Sequence, residues 1–265
     1  MSAVVPARYE GRRALITGAG SGIGQATVLR ILAEGGTVVA ADVSEAGLAD
    51  TVGKSGGHDR LTTVVVDVAD EASVTAGVAA ARKALGGIDV LVNAAGILRS
   101  SRTETTSLAD FELVIRVNLV GTFLMIRESL PALIESDDAA VVNFSSTSAM
   151  FAHPYMAAYA ASKGGIQSMT HALAAEYAKQ GIRFTAVQPS SISSGMTDGS
   201  GESGQSRGPG LPEDADFGLF AKLLPALGQG FAGPETVAGV VAMLASSDGA
   251  FITGTEVRVD GGTHF

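Results

Sequence analysis

The segment RALITGAGSGIG, residues 13–24, decides how the rest of the chain is read. It starts as an apolar run, passes through a glycine cluster, and opens an amphipathic pattern that lasts to about Glu34. Strand, glycine turn and helix in that order form the context a dinucleotide pyrophosphate requires. Glycine admits positive φ and lets the backbone come close to a phosphate. The helix behind it offers free N–H groups and positive partial charge. The spacing is G-x-x-x-G-x-G through Gly18, Gly22 and Gly24, because Ile23 stands where the commoner G-x-G-x-x-G would have its last glycine. Ser21 and Ile23 sit inside the same turn and count with the glycines as expected cofactor contacts. A glycine-rich turn without a ligand is the plain alternative, and the flanking strand and helix weigh against it.

Outward from this turn, short apolar runs recur: TVVAAD (37–42), LTTVVVD (61–67), IDVLVN (88–93), AVVNFS (140–145), IRFTAVQ (182–188) and EVRVD (256–260). Most are continuous Val, Ile and Leu rather than alternating, as suits strands buried on both faces. Segments long enough for crossover helices separate them. Repeated βα units predict an α/β, Rossmann-type doubly wound parallel sheet of about seven strands with helices on both faces. Helices are expected over about 108–134 and about 158–180. The stretch GMTDGSGESGQSRGPG (195–210) is nearly all Gly, Ser and acids, and reads as a flexible loop. FGLFAKLLPALG (217–228) is apolar at helical spacing. Together they predict a substrate loop or lid over about 190–228.

Composition excludes several classes. The chain has 265 residues, 46% hydrophobic and 17% charged, which fits a single domain over 1–265. There is no cysteine, so thiolate chemistry and disulfides are excluded. Net charge is −9 without a long basic tract, which argues against nucleic acid. Apolar runs stop well short of the roughly 20 residues a membrane span needs. The first residues, MSAVVPARYEGRR, hold no apolar signal core, so a cytoplasmic location is expected. The four histidines are scattered, and no metal is expected.

Asp42 ends the second run, near the roughly 20-residue offset at which an acid meets the adenosine ribose. A carboxylate accepts from a 2′-OH and repels a 2′-phosphate, and Ala41, Val43 and Ser44 bring no cation. NAD is therefore favoured over NADP. The alternative for Asp42 is a cap for the next helix.

With NAAG (93–96) added, the chain resembles a short-chain dehydrogenase/reductase. The resemblance runs from TGAGSGIG through Asp67, NAAG, Asn118, NFSS (143–146) and YAASK (159–163) to VDGG (259–262). It implies that Tyr159 is the general acid/base and that Lys163 binds the nicotinamide ribose and lowers the tyrosine pKa. It implies that Ser146 bonds the substrate oxygen and that Asn118 holds a water in a proton relay. Asp67 and Val68 are implied at the adenine, and Asn93, Ala94 and Gly96 beside the cofactor, with Asn93 supporting the sheet. Pro189, Ser190, Ile192 and Ser194 are implied along the loop after the sixth run. A homotetramer built through helices is implied too. Physical chemistry agrees with these roles: residues four apart share a helix face, a cation about 4 Å from a tyrosine can lower its pKa substantially at an effective dielectric near 20, and the positive ring of NAD can supply what a longer separation would not.

The chain departs from the family at Ser190, which stands where glycine is usual. A positive φ there would strain the serine. The substrate pocket is expected from Leu98, Ser146, segment 150–155, Tyr159 and the loop, with Met196, Phe217, Leu219 and Phe220 closing over it. His153 is read as a loop-surface residue or as a partner for a distal polar group. The expected substrate is a hydrophobic secondary alcohol or ketone, steroid-like or alicyclic. A sugar alcohol, an acyl-carrier-protein ketone met by Arg99 and Arg102, and a non-catalytic NAD-binding role are the alternatives.

Overall fold

The computed structural model describes residues 3–198, 210–227 and 230–264. In chain order the elements are β1 (Arg13–Thr17), α1 (Gly22–Ala33), β2 (Thr37–Asp42), α2 (Glu45–Lys54), β3 (Leu61–Val65), α3 (Glu71–Leu85) and β4 (Val90–Asn93). Then come α4 (Leu108–Ile115), α5 (Gly121–Ile134), β5 (Ala140–Phe144), α6 (Ala157–Tyr177), β6 (Arg183–Pro189), α7 (Gly195–Asp198), α8 (Pro234–Leu244) and β7 (Thr255–Val259). The strands form one parallel sheet in the order β3-β2-β1-β4-β5-β6-β7. The order reverses between β1 and β4, and such a switch point opens a crevice at the carboxyl ends of the strands.

The continuous apolar runs are explained by two cores. Leu15, Val39, Leu91 and Val141 pack on one face with Val74, Val114 and Leu124. Their neighbours Ile16, Val38, Val92 and Val142 pack on the other with Val28, Ile31, Val237 and Val241. Successive strand side chains point to opposite faces, so a strand covered on both sides must be apolar throughout. The outer strands β3 and β7 are only partly covered, and their residues are correspondingly exposed or half-buried.

Element boundaries agree with expectation to within a few residues, and two stretches differ. The helix expected over 108–134 is interrupted at Arg116–Val120 by a π-helical turn that carries Asn118. The apolar stretch at 217–228 forms a 3₁₀ helix at Phe217–Leu223 and then leaves helical conformation. Pro225, which cannot donate a backbone hydrogen bond, follows directly. Of the expected loop at 195–210, residues 195–198 form α7, and residues 199–209 lie outside those described. Among the described residues no helix is long and apolar enough to cross a membrane.

Candidate active site

A cavity of about 820 Å³ opens at the switch point, over the carboxyl ends of the strands. The glycine turn forms its floor: Gly18, Ser21, Gly22, Ile23 and Gly24 all line it. Two of these glycines are sterically obligatory. Gly18 has φ +64, and a Cβ there would lie 2.7 Å from the Ala94 carbonyl carbon. A Cβ on Gly24 would lie 2.0 Å from the Gly18 oxygen. Helices α2, α3 and α4 are capped by side chains, Ser44, Asp70 and Ser107. Helix α1 is different, because Ser21 makes no side-chain cap bond and its first turn carries no acid. Its free N–H groups therefore face the cavity, where a pyrophosphate would satisfy them. The glycine cradle and the uncapped helix fit a dinucleotide.

Asp42, Asp67 and Val68 line the end of the cavity beyond this turn. The Asp42 carboxylate accepts from Gly20 N at 2.9 Å and from Ser44 N at 2.9 Å. It thus holds the glycine turn as well as facing the cavity. Asp67 closes a local turn by accepting from Ala69 N at 2.9 Å. One lining residue had no signal near Asp42 in the sequence. Lys54, at the end of α2, reaches the cavity wall but is paired with Asp50 at 2.7 Å and donates to Gln25 Oε1 at 2.9 Å.

Ser146, Tyr159 and Lys163 meet on the wall formed by β5 and α6. Lys163 is buried and donates Nζ to the Phe144 carbonyl at 2.7 Å. Its Nζ lies 5.5 Å from the Tyr159 ring centroid. Ser145, beside it, donates to the Lys163 carbonyl at 3.0 Å and so ties the strand end to the helix. Burial pushes the Tyr159 hydroxyl up to about 12, against a hydrogen bond with Ser146 that lowers it. Burial likewise brings the Lys163 ammonium down to about 8. In each case burial disfavours the charged form.

Asn93 and Asn118 are not among the described residues that line the cavity. Asn93 is buried and donates to Asn143 Oδ1 at 2.9 Å, joining β4 to β5. Asn118 accepts from Ile97 N at 2.8 Å and donates Nδ2 to Ile97 O and to Ser162 Oγ, each at 3.0 Å. Ser162 in turn donates to the Tyr159 carbonyl at 2.7 Å. The Asn118 side-chain amide thus bonds protein groups behind Gly96. Ala94 and Gly96 do line the cavity.

Pro189, Ser190, Ile192 and Ser194 line it from the end of β6. The strained residue is Ser191, with φ +54, and not Ser190. The left-handed turn falls one residue later than the glycine position suggested. Thr197 also lines the cavity and accepts from Ser194 N at 3.0 Å. Of the expected lid residues, Met196 and Phe220 line the cavity, whereas Phe217 and Leu219 point outward and are exposed. Met150 is likewise exposed. Leu211 and Leu223 take their places. The segment from Leu211 to Leu224 is fastened at its outer edge. Arg102 meets Asp214 at 2.8 Å, and Tyr155 accepts from Asp216 N at 3.0 Å while stacking near Phe220. Arg99 donates to the Leu98 carbonyl at 2.9 Å.

Sheet order, glycine turn and cavity together define a Rossmann-like α/β protein. The short chain dehydrogenase family model matches residues 12–204. A 3-oxoacyl-(acyl-carrier-protein) reductase of Thermotoga maritima is 37% identical over 96% of this chain and 98% of its own. Levodione reductase of Leifsonia aquatica is 36% identical over 96% of this chain and 95% of its own. A short chain dehydrogenase of Mycobacterium paratuberculosis, solved bound to NAD, superposes with a TM-score of 0.88 at 30% identity, covering 97% of this chain and 98% of its own. The chain belongs to the short-chain dehydrogenase family.

Proposed function

We propose that this protein is an NAD-dependent dehydrogenase/ketoreductase acting on neutral, largely apolar secondary alcohols or ketones. The observation that carries the reading is a single cavity in which the glycine cradle and Asp42 share walls with Ser146, Tyr159 and Lys163. NAD, when bound, supplies the hydride acceptor or donor. The chain's residues do the rest. Gly18, Gly22 and Gly24 cradle the pyrophosphate with the first turn of α1, and Asp42 takes the adenosine ribose hydroxyls. Tyr159 moves the proton at the substrate oxygen, and Ser146 donates to that oxygen as charge grows on it. Lys163 anchors the nicotinamide ribose and holds Tyr159 in place. Asn118 positions both, through Ile97 and Ser162, rather than touching the reacting atoms.

The apolar wall of Leu98, Met156, Met196, Phe220 and Leu223 supports an apolar substrate. A carrier-bound substrate is less well supported: Arg102 is already paired with Asp214, and the net charge of −9 would repel an acidic carrier. The whole of 1–265 acts as one catalytic domain in this reading. A cysteine-free chain suits the reducing cytoplasm.

The test is a panel of secondary alcohols and ketones followed at the NADH absorbance band, with NADH and NADPH titrations alongside. Tyr159→Phe is expected to lower turnover by about 10²–10⁴-fold while NADH binding changes little. Substantial turnover in that variant would remove Tyr159 from its role. Tight NADH binding without turnover of any compound would favour a cofactor-binding regulator instead. Tighter binding of NADPH would overturn the part given to Asp42.

A further inference from the structure

Within the apolar end of the cavity, one side chain is out of keeping with its neighbours. His153 is the only histidine among the described lining residues. It reaches the wall from the segment between Ser146 and α6. One ring nitrogen, Nε2, bonds Thr147 Oγ1 at 3.1 Å, directly beside Ser146. The other, Nδ1, has no hydrogen-bond partner among the described residues.

The ring is held from behind. Phe151 stacks on His264 with centroids 4.0 Å apart, and the His264 ring lies 6.1 Å from that of His153. Arg258 covers the far face of this packing, 5.3 Å from the Phe151 centroid, and donates to the His264 carbonyl at 2.7 Å. Burial, with His264 nearby, lowers the His153 pKa to about 4. A neutral imidazole is therefore presented at ordinary pH, able to donate or accept through its unpaired nitrogen. An apolar ligand that covered that nitrogen would leave it without the hydrogen bond that water otherwise provides.

We propose that His153 is a specificity residue that bonds a second, uncharged oxygen of the substrate, a hydroxyl or carbonyl apart from the reacting one. This deepens the proposed function and rests on it. The favoured substrate class becomes a diol, hydroxyketone or diketone on an otherwise apolar skeleton. Thr147 fixes which ring nitrogen is left for the ligand, and the tail at His264 fixes the ring's position.

The test pairs compounds that differ only in the second oxygen, cyclohexane-1,2-diol against cyclohexanol and 2-hydroxycyclohexanone against cyclohexanone. The broader alcohol and ketone panel is paired with deoxy analogues in the same way. The wild type is expected to favour the oxygenated member by about tenfold or more in kcat/KM. His153→Leu should remove that preference through KM, leave the deoxy member nearly unchanged, and leave NADH binding intact. His153→Gln, which keeps a polar tip, should restore part of the preference. Equal losses on both members of a pair, or a wild type that turns over both without preference, would overturn the inference alone. A wild type that turns over nothing would overturn the proposed function and this inference with it.

Discussion

At the scale of single residues, position in the chain and position in space part company most clearly after β6. Ser190 occupies the family's glycine position, yet the left-handed backbone is at Ser191. A serine there bears about 1–2 kcal/mol of strain. It is offset by the bond from Ser191 Oγ to the Leu223 carbonyl at 3.2 Å, which ties strand end to lid. Ser191→Gly exchanges one term for the other and should change the unfolding free energy by less than about 1 kcal/mol. Ser191→Val, β-branched and without the hydroxyl, should cost about 2 kcal/mol or more. Urea denaturation of the two variants checks the pair. Equal destabilisation by both would mean that the hydroxyl and not the backbone matters. No residue type marks such a φ in advance, so this strain was not legible. That Ser146, Tyr159 and Lys163 would share one cavity was legible, because they keep their order and spacing in the chain. The effect of their burial was not, since desolvation depends on what closes over them.

At the scale of elements, the glycine turn and the strands were readable because their cause is local. A glycine cluster between an apolar run and an amphipathic one leaves few other arrangements. The steric demand at Gly24 is correspondingly strict. Gly24→Ala places a methyl group where the Gly18 carbonyl stands, and the turn must open to receive it. NADH affinity should fall by about tenfold or more, with about 1–3 kcal/mol of stability lost. Fluorescence titration of NADH would check this, and wild-type affinity would show that the turn does not approach the cofactor. The π-helical turn at Arg116–Val120 was not readable from periodicity. Its effect is to place Asn118 against Ile97 and Ser162, contacts that exist only once β4 and α6 are packed. Lys54 was missed for a similar reason, since α2 brings it to a wall that no neighbour in sequence defines. The expected lid is a mixed case. Its apolar composition was plain, but which faces turn inward depends on Tyr155 and Asp214.

At the scale of the whole molecule, the sheet and its two cores were legible in the continuous apolar runs. The outer faces of α4 and α5 carry apolar groups that neither core uses. Leu108, Phe111, Leu113, Phe123 and Ile134 are all exposed. Such a surface is unusual for a chain that stays alone in water. Self-association through these helices, to a homotetramer, is the expected outcome. Light scattering should give a mass of about four times 26.7 kDa, and a monomeric mass would refute it. The switch between β1 and β4 has a further consequence, which concerns time. Thr17 pairs with Asn93 across the switch, and the Thr17 hydroxyl accepts from Ala95 N at 3.2 Å. The glycine turn is therefore braced by a strand that arrives long after it in the chain. Non-local parallel pairings of this kind form slowly. During synthesis, the turn lacks this particular brace until β4 emerges.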